Sequence, residues 1–170
     1  MDADALKALQ APLKDKYRND AACALITLRS EGSIGESVTC SVQTSRALVE
    51  AGLHPATGGS GMHACSGDML LDALVACAGV TLNAVATGLK LDVQSARVIA
   101  EGDLDFRGTL GVAKDAPVGF RAIRLKFEVN GNLTEEEQAS LLKLSERYCV
   151  VFQTLKTPAA FDVTLTAHPA

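Results

Sequence analysis

The 170-residue chain carries a formal net charge of −4; hydrophobic residues make up 48% of it and aromatic residues only 4%. This length predicts one domain, 1–170, with a core built mainly from Leu, Val, Ile and Ala. The sequence has no basic run and no aromatic-basic patch, which argues against nucleic acid as a partner. The first twenty residues lack the basic and apolar regions of a secretory signal, so we expect a cytoplasmic protein.

The first third of the chain is expected to contain a helix, a β-hairpin and a loop. Residues 2–17 place leucines at helical spacing and predict an additional N-terminal helix within 1–20. Residues 22–29 and 37–44 have the composition of strands and are separated by a turn signal at 32–35, a pattern that predicts a hairpin. The glycine-rich residues that follow, GLHPATGGSG, lack the spacing of a phosphate-binding loop and are expected to be a flexible connection.

Residues 65–82 read CSGDMLLDALVACAGVTL and predict a long helix of about 67–88, with Ser66 as its N-cap. The helix is apolar on almost every side and therefore needs cover on every side, whereas one small sheet covers only one. Asp72 and Asn83 within it argue against a membrane-spanning segment. Small residues run along one face at steps of three and four: Ala73, Ala76, Cys77, Val80 and Ala84. We therefore expect a homodimer in which a partner helix packs on this face.

The second half of the chain adds strands and another helix. Residues 92–106 and 119–130 predict two longer antiparallel strands. Thr134 and Glu137 predict a capping box at the start of a helix of about 135–148. Residues 161–167 predict a last strand. The fold class is therefore α+β, with a β-hairpin, a long buried central helix, further antiparallel strands and a second helix.

The cysteines offer the clearest candidates for chemistry. An odd count without a signal argues against a disulfide framework, and their spacing does not resemble a structural zinc site. Cys77 lies too far along its helix for the helix dipole to lower its pKa, and burial would raise it. A reactive Cys77 therefore needs a cation from another element, and without one it is a small hydrophobic residue. The five cysteines are Cys23, Cys40, Cys65, Cys77 and Cys149.

Two stretches resemble a known family. DMLLDALVACAGVTL resembles the central-helix motif of the OsmC/Ohr family, named for osmotically inducible protein C and organic hydroperoxide resistance protein, and Cys77 holds the position of that motif's thiol. ERYCVVFQTL resembles the second motif, in which a cysteine follows a helix; here that cysteine is Cys149. Val150 stands where proline is usual. The resemblance covers about residues 22–167.

The resemblance implies an OsmC-like fold of two intertwined subunits and a thiol-dependent peroxidase that reduces organic hydroperoxides. Cys77 would attack the peroxide bond and become a sulfenic acid, and Cys149 would condense with it to a disulfide. An external dithiol, for which a lipoyl protein is one candidate, would reduce that disulfide. The family requires no metal and no other cofactor.

The resemblance also implies an arginine and an acidic residue that activate the thiol. Arg29 is the first choice for the cation because it ends the predicted first strand, and Arg46 is the alternative. Asp68 holds the acidic position nine residues before Cys77, with a side chain one methylene shorter than the usual Glu. Asp72 is a further candidate.

Two other functions are compatible with these residues. An OsmC-like dimeric protein that binds a small ligand or senses redox state would show one slow oxidation of Cys77 and little turnover. A hydrolase would use Cys65, which lies just before the long helix, as nucleophile with His54 or His63 as base.

Overall fold

The computed structural model describes residues 2–5, 7–8, 10–11, 31–34, 39–43, 48–111 and 113–168, with the side chains of 31–34 and 39–43 excepted. The predicted strand at 22–29 lies outside these residues, as do Arg29 and Arg46. Residues 3–5, 7–8 and 10–11 are helical and fall within the predicted N-terminal helix.

A four-stranded sheet lies before the long helix and consists, in spatial order, of β1 (Glu31–Ile34), β2 (Thr39–Gln43), β3 (Leu48–Gly52) and β4 (Ala64–Cys65). Strands β1 and β2 are antiparallel, with Ile34 opposite Cys40, and β2 and β3 are also antiparallel. The turn predicted at 32–35 is therefore wrong for residues 32–34, because their backbone pairs with β2 despite the glycine there. β3 was not predicted.

The predicted long helix is present as α1, Ser66–Gly88. It begins one residue earlier than expected, so Cys65 rather than Ser66 is its N-cap. One face is buried because apolar residues recur at every fourth position: Leu74, Ala78, Leu82 and Ala86. Full burial of each leucine side chain contributes about 1.5–3 kcal/mol.

Two twelve-residue strands cover this buried face of α1. β5, Val93–Leu104, and β6, Phe120–Gly131, are antiparallel and agree with the predicted strands to within two residues. A four-residue helix, α2 (Phe106–Thr109), lies in the connection between them. The core of the described chain lies between α1, this pair of strands and the helical segments that follow them, which contribute Leu141 and Cys149.

The second predicted helix is α3, Glu135–Tyr148. Its capping box is present: the Thr134 hydroxyl accepts from the Glu137 N–H, and the Glu137 carboxylate accepts from the Thr134 N–H at 2.8 Å. A short helix that was not predicted, α4 (Val150–Lys156), follows directly. The fold is thus α+β, as predicted.

The predicted last strand does not form within the chain. Residues 158–168 have no regular structure, and Phe161, Val163 and Leu165 are 86%, 86% and 94% exposed. Apolar residues do alternate along this segment, as the prediction required. A strand also needs the backbone of a neighbouring strand for its hydrogen bonds, and the described part of this single chain supplies none.

The face of α1 opposite its buried stripe is open. Val80 is 73% exposed, and the alanines on either side of it are exposed as well. We call this the small-residue face: Ala73, Ala76, Val80 and Ala84 are exposed on it, and Cys77 lies at its edge, partly buried. By length and composition α1 could also cross a membrane, with a mean hydropathy of 1.8, but the core helix of a soluble protein meets the same criterion.

Candidate thiol redox site

The fold brings Cys77 and Cys149 into contact. Cys77 lies midway along α1, partly buried, and Cys149 lies between α3 and α4 at 1% exposure. Cys149 forms a buried cluster with Leu74 and Ala78 of α1, and Cys77 packs against this cluster. Both are free thiols. Cys77 and Cys149, which the family resemblance assigns to one redox pair, are therefore neighbours.

The position of Cys149 follows from a break between two helices. Its backbone is extended, with φ −74° and ψ 107°, so it ends α3 and starts α4. Its N–H donates to the carbonyl of Ser145 at 3.1 Å, and its carbonyl accepts from the N–H of Gln153 at 2.9 Å. The first amides of α4 form its first turn and have no carbonyl of the same helix before them to bond.

The amides of Val150 and Val151 act on the pKa of Cys77. Burial, the strongest single influence, raises the pKa of the Cys77 thiol. Hydrogen bonds from the backbone of Val151, the side chain of Cys149 and the backbone of Val150 act in the other direction and leave the pKa of Cys77 below its ordinary value. The nearby Thr81 hydroxyl donates its one proton to the Cys77 carbonyl at 2.7 Å, so we assign it to the backbone rather than to the sulfur.

Cys149 is affected in the opposite sense. Burial raises the pKa of Cys149, and the neighbouring Cys77 raises it further, through their hydrogen bond and through charge, while the backbone amides of Phe152 and Val151 lower it only in part. Cys77 therefore ionises first, and Cys149 keeps its proton and donates it toward the Cys77 sulfur. The arrangement pairs a thiol of lowered pKa with a neighbouring thiol of raised pKa, and of the two the first is the better nucleophile at a given pH.

The residues predicted to activate Cys77 do not lie beside its sulfur in the described structure. Asp68 and Asp72 are exposed on α1, and Asp68 lies roughly 13 Å along the helix axis from Cys77. No cation pairs with either carboxylate among the described residues. Arg29 and Arg46 lie outside those residues, so the roles of Arg29 and Asp68 stay predictions.

The residues proposed for a hydrolase lie in separate arrangements. His54 stacks on Phe106 with ring centroids 4.8 Å apart, and its Nδ1 accepts from the Ala56 N–H at 3.0 Å. His63 Nδ1 lies 3.7 Å from a carboxylate oxygen of Glu50. Neither histidine is hydrogen-bonded to Cys65 in the part of the chain that the structure describes.

Two cavities adjoin the thiol pair. A shallow surface depression of about 450 Å³ is lined by Cys149 and Val150 together with Arg147 and Tyr148. A separate, mostly apolar cavity of about 510 Å³ is lined by residues that pack against the Cys149 cluster, among them Phe152 and Leu155. Neither sulfur lines the second cavity.

Sequence reasoning missed the amides of Val150 and Val151 as part of the site. The sequence analysis expected a cation near Cys77, whereas the groups of the described residues that lower its pKa are neutral hydrogen-bond donors. The signal that could have revealed them is the spacing of Val151, Phe152 and Leu155, which indicates a new helix turn directly after Cys149.

Comparison with known proteins gives the family. Residues 58–164 match the family model described as OsmC-like protein. None of the curated proteins matches the chain.

Solved structures resemble the chain over most of its length. An OsmC-like protein from Mycoplasma pneumoniae aligns with a TM-score of 0.65 at 16% identity, over 78% of this chain and 89% of that one. An organic hydroperoxide resistance protein from Elizabethkingia anophelis aligns with a TM-score of 0.63 at 17% identity, over 79% and 91%. An organic hydroperoxide resistance protein from Legionella pneumophila aligns with a TM-score of 0.62 at 16% identity, over 78% of this chain and 91% of that one.

At these identities the structural likeness establishes the fold alone, whereas the family model covers more than half of the chain. The chain therefore belongs to the OsmC-like protein family.

Proposed function

We propose that the protein is a thiol-dependent peroxidase that reduces organic hydroperoxides, with Cys77 as the attacking thiol and Cys149 as the resolving thiol. The observation that carries this proposal is the packing of Cys77 against the buried cluster that holds Cys149, with the pKa of Cys77 lowered and the pKa of Cys149 raised. A peroxidase needs one ionised thiol to attack and one reduced thiol within reach to complete the cycle.

The cycle balances in three steps. The Cys77 thiolate attacks one peroxide oxygen, the O–O bond breaks, and the alcohol leaves with one proton while Cys77 becomes a sulfenic acid. The sulfur of Cys149 then attacks that of Cys77, and the sulfenic hydroxyl leaves as water with the Cys149 proton. An external dithiol finally reduces the disulfide by exchange, returning both thiols and leaving its own sulfurs oxidised.

Two observations support an organic substrate. Apolar side chains surround the thiol pair, and the apolar cavity beside the Cys149 cluster could hold a hydrocarbon group. Two structural relatives are described as organic hydroperoxide resistance proteins. An apolar surrounding favours a hydroperoxide with a carbon substituent over hydrogen peroxide.

The reductant is proposed to be a dithiol, with a lipoyl protein as one candidate. The surface depression lined by Cys149 and Val150 gives a route by which such a dithiol could approach the disulfide from solvent. A cytoplasmic location would suit this cycle, because dithiol systems there keep thiols reduced.

We also propose that the working unit is a homodimer. The open small-residue face of α1 would let a partner helix approach closely, and the exposed 158–168 segment retains the alternation of a strand that lacks a neighbour. Arg29 and Asp68 keep their proposed roles as the cation and acid that assist the Cys77 thiolate.

The direct test is consumption of an organic hydroperoxide in the presence of a dithiol reductant. The unmodified protein should turn over repeatedly, and Cys77→Ser should lose turnover. Cys65→Ser is the matched control: Cys65 is the N-cap residue of the same helix, its thiol makes no capping hydrogen bond there, and it should be dispensable. One slow oxidation of Cys77 without cycling would favour the binding or sensing alternative, and full activity of C77S would overturn the assignment.

A further inference from the structure

Ser145 is a small polar residue in the buried contact between α3 and α1. It is 0% exposed, and its hydroxyl has no hydrogen-bond partner in the described structure. Its backbone carbonyl accepts from the N–H of Cys149 at 3.1 Å, and this bond closes the last turn of α3. A shift of Ser145 relative to α1 is therefore carried to Cys149.

Two hydrophobic clusters show how α3 lies on α1. Cys149, at the end of α3, packs with Leu74 and Ala78 of α1. Leu141, two turns earlier on α3, packs with Leu82. Residue numbers thus rise along α3 where they fall along α1, so the two helices pack against each other in opposite directions.

The place of Ser145 in this contact follows from the helical repeat. It lies midway between Leu141 and Cys149 on one face of α3, because residues four apart lie one above the other. It therefore faces α1 between Ala78 and Leu82, and Ala78 is itself 0% exposed. A small side chain on each helix lets the two axes approach toward the short end of the usual range of about 8–10 Å.

The contact depends on the size of Ser145 rather than on its hydroxyl. The hydroxyl makes no hydrogen bond among the described residues, so it holds no neighbouring group in place. A larger side chain would have to push α3 away from α1, because protein interiors are packed as densely as organic crystals and have no room to spare. Cys149 would move with α3.

We propose that Ser145 is a positioning residue for the thiol pair, because its small side chain lets α3 lie close against α1 and so holds Cys149 beside Cys77. This inference rests on the proposed function, in which the sulfur of Cys149 attacks that of Cys77. The S–O bond of the sulfenic acid then breaks, and its hydroxyl leaves as water with the Cys149 proton.

The two chemical steps should respond differently to a larger residue at position 145. Attack on the peroxide uses a thiol of α1 and should change little. Formation of the disulfide requires the Cα atoms of Cys77 and Cys149 to lie within about 7 Å of each other. Because a misplacement of about 1 Å can slow a reaction by about a hundredfold, Ser145→Val should slow this step by about tenfold or more.

The experiment compares S145V with two variants that leave the contact unchanged in size. Ser145→Ala does not enlarge the side chain, and Ala139→Val enlarges an exposed residue of the same helix. Each protein receives one equivalent of an organic hydroperoxide in the presence of dimedone. Mass spectrometry then measures how oxidised Cys77 divides between the dimedone adduct and the bond to Cys149. S145V should favour the adduct, while S145A and A139V should divide as the unmodified protein does.

Ser145→Thr decides the case should S145V not fold. It adds one methyl group and keeps the hydroxyl, so it changes size with little change in polarity. S145T should shift the division toward the adduct in the same direction as S145V and by less. An S145T protein that divides as S145A does would contradict the inference.

A change on the facing helix separates position from stability. Ala78→Gly removes the methyl group opposite Ser145 and also weakens the middle of α1, because glycine is a poor helix former. Combined with S145V, it should return the rate of disulfide formation toward that of the unmodified protein while lowering the midpoint of urea denaturation further. If S145V acted only through lost stability, A78G would slow disulfide formation still more.

Diamide, which oxidises a thiol pair to a disulfide without a peroxide, distinguishes a failure of this inference from a failure of the proposed function. A protein without peroxide turnover, in which diamide still joins Cys77 to Cys149 quickly and S145V slows that reaction, would contradict the function and support the inference. Equal rates of disulfide formation in S145V and the unmodified protein, with either oxidant, would overturn the inference.

Discussion

Cys77 packs against the buried cluster that contains Cys149, and the two thiols shift each other's pKa in opposite directions, lowering that of Cys77 and raising that of Cys149. In the proposed peroxidase cycle this difference separates the two roles. The thiol proposed to attack ionises first, and the thiol proposed to resolve keeps its proton to higher pH.

Replacement of Cys149 should test both its proposed role in resolving the sulfenic acid and its effect on the pKa of Cys77. Cys149→Ser keeps a hydroxyl donor toward Cys77, whereas Cys149→Ala removes the donor. Both variants should stop after one oxidation and accumulate a sulfenic acid on Cys77, detectable by dimedone labelling. Only C149A should also raise the pKa of Cys77, which alkylation rates across pH would report.

The comparison between these two variants is informative because alanine and serine differ by one hydroxyl. Identical Cys77 titrations in C149S and C149A would mean that the side chain of Cys149 does not hold the thiolate. Continued turnover in either variant would mean that another thiol resolves the sulfenic acid, and Cys65 would be the first to test.

The pH dependence of Cys77 oxidation follows from the direction of its pKa. The thiolate is the nucleophile, so the rate should fall as pH drops through the pKa of Cys77, and its half-maximal point should lie below that of an ordinary thiol. In Cys77→Ala the pKa of Cys149 should fall, since Cys77 raises it. Stopped-flow oxidation and alkylation measure the two effects; a half-maximal point above the ordinary value contradicts the first.

Assembly should depend on the small-residue face of α1. Val80→Asp places a charge at its centre, where the side chain is 73% exposed in the single chain. Burial of an unpaired charge should raise the dissociation constant of the dimer by about a hundredfold or more. Light scattering coupled to size-exclusion chromatography measures the mass.

Val118→Asp is the matched control, because Val118 is also exposed, at 64%, but lies in the connection between β5 and β6. V118D should remain dimeric. A monomeric unmodified protein, or a V80D protein with an unchanged dissociation constant, would rule out the proposed interface.

Ser145 offers a prediction about stability. It is fully buried on α3, one turn before Cys149, and its hydroxyl has no hydrogen-bond partner in the described structure. Leaving a buried hydroxyl unpaired costs about 1–3 kcal/mol, so Ser145→Ala should raise the free energy of unfolding by about 1 kcal/mol. Urea denaturation measures the change, and a clear loss of stability would reveal a partner for the hydroxyl.

The sequence predicted those elements whose signals are local. The capping box of Thr134 and Glu137 marks the start of α3, and the helix follows to its predicted end. The run from Ser66 to Gly88 is apolar over so many residues that only a helix accommodates it. The cysteine pair was reached through the family resemblance; the structure places Cys77 against the cluster that holds Cys149, and their redox roles stay predictions.

Other features depend on neighbours that a sequence pattern does not reveal. The break at Cys149 separates α3 from α4 within a run, ERYCVVFQTLK, that contains neither glycine nor proline. The backbone N–H donors at the start of α4 were therefore not predicted, and a cation was expected to act on Cys77 instead. The strand at 161–167 was predicted from alternation alone, yet within one chain its three apolar residues stay exposed because no strand lies beside them.

The most direct measurement is disulfide mapping after the protein is treated with one equivalent of an organic hydroperoxide. Non-reducing digestion and mass spectrometry should find a bond between Cys77 and Cys149 as the main product, with Cys65 unmodified. A main product in which Cys149 stays reduced, or in which Cys65 is the oxidised thiol, would contradict the assignment of this pair as the redox centre.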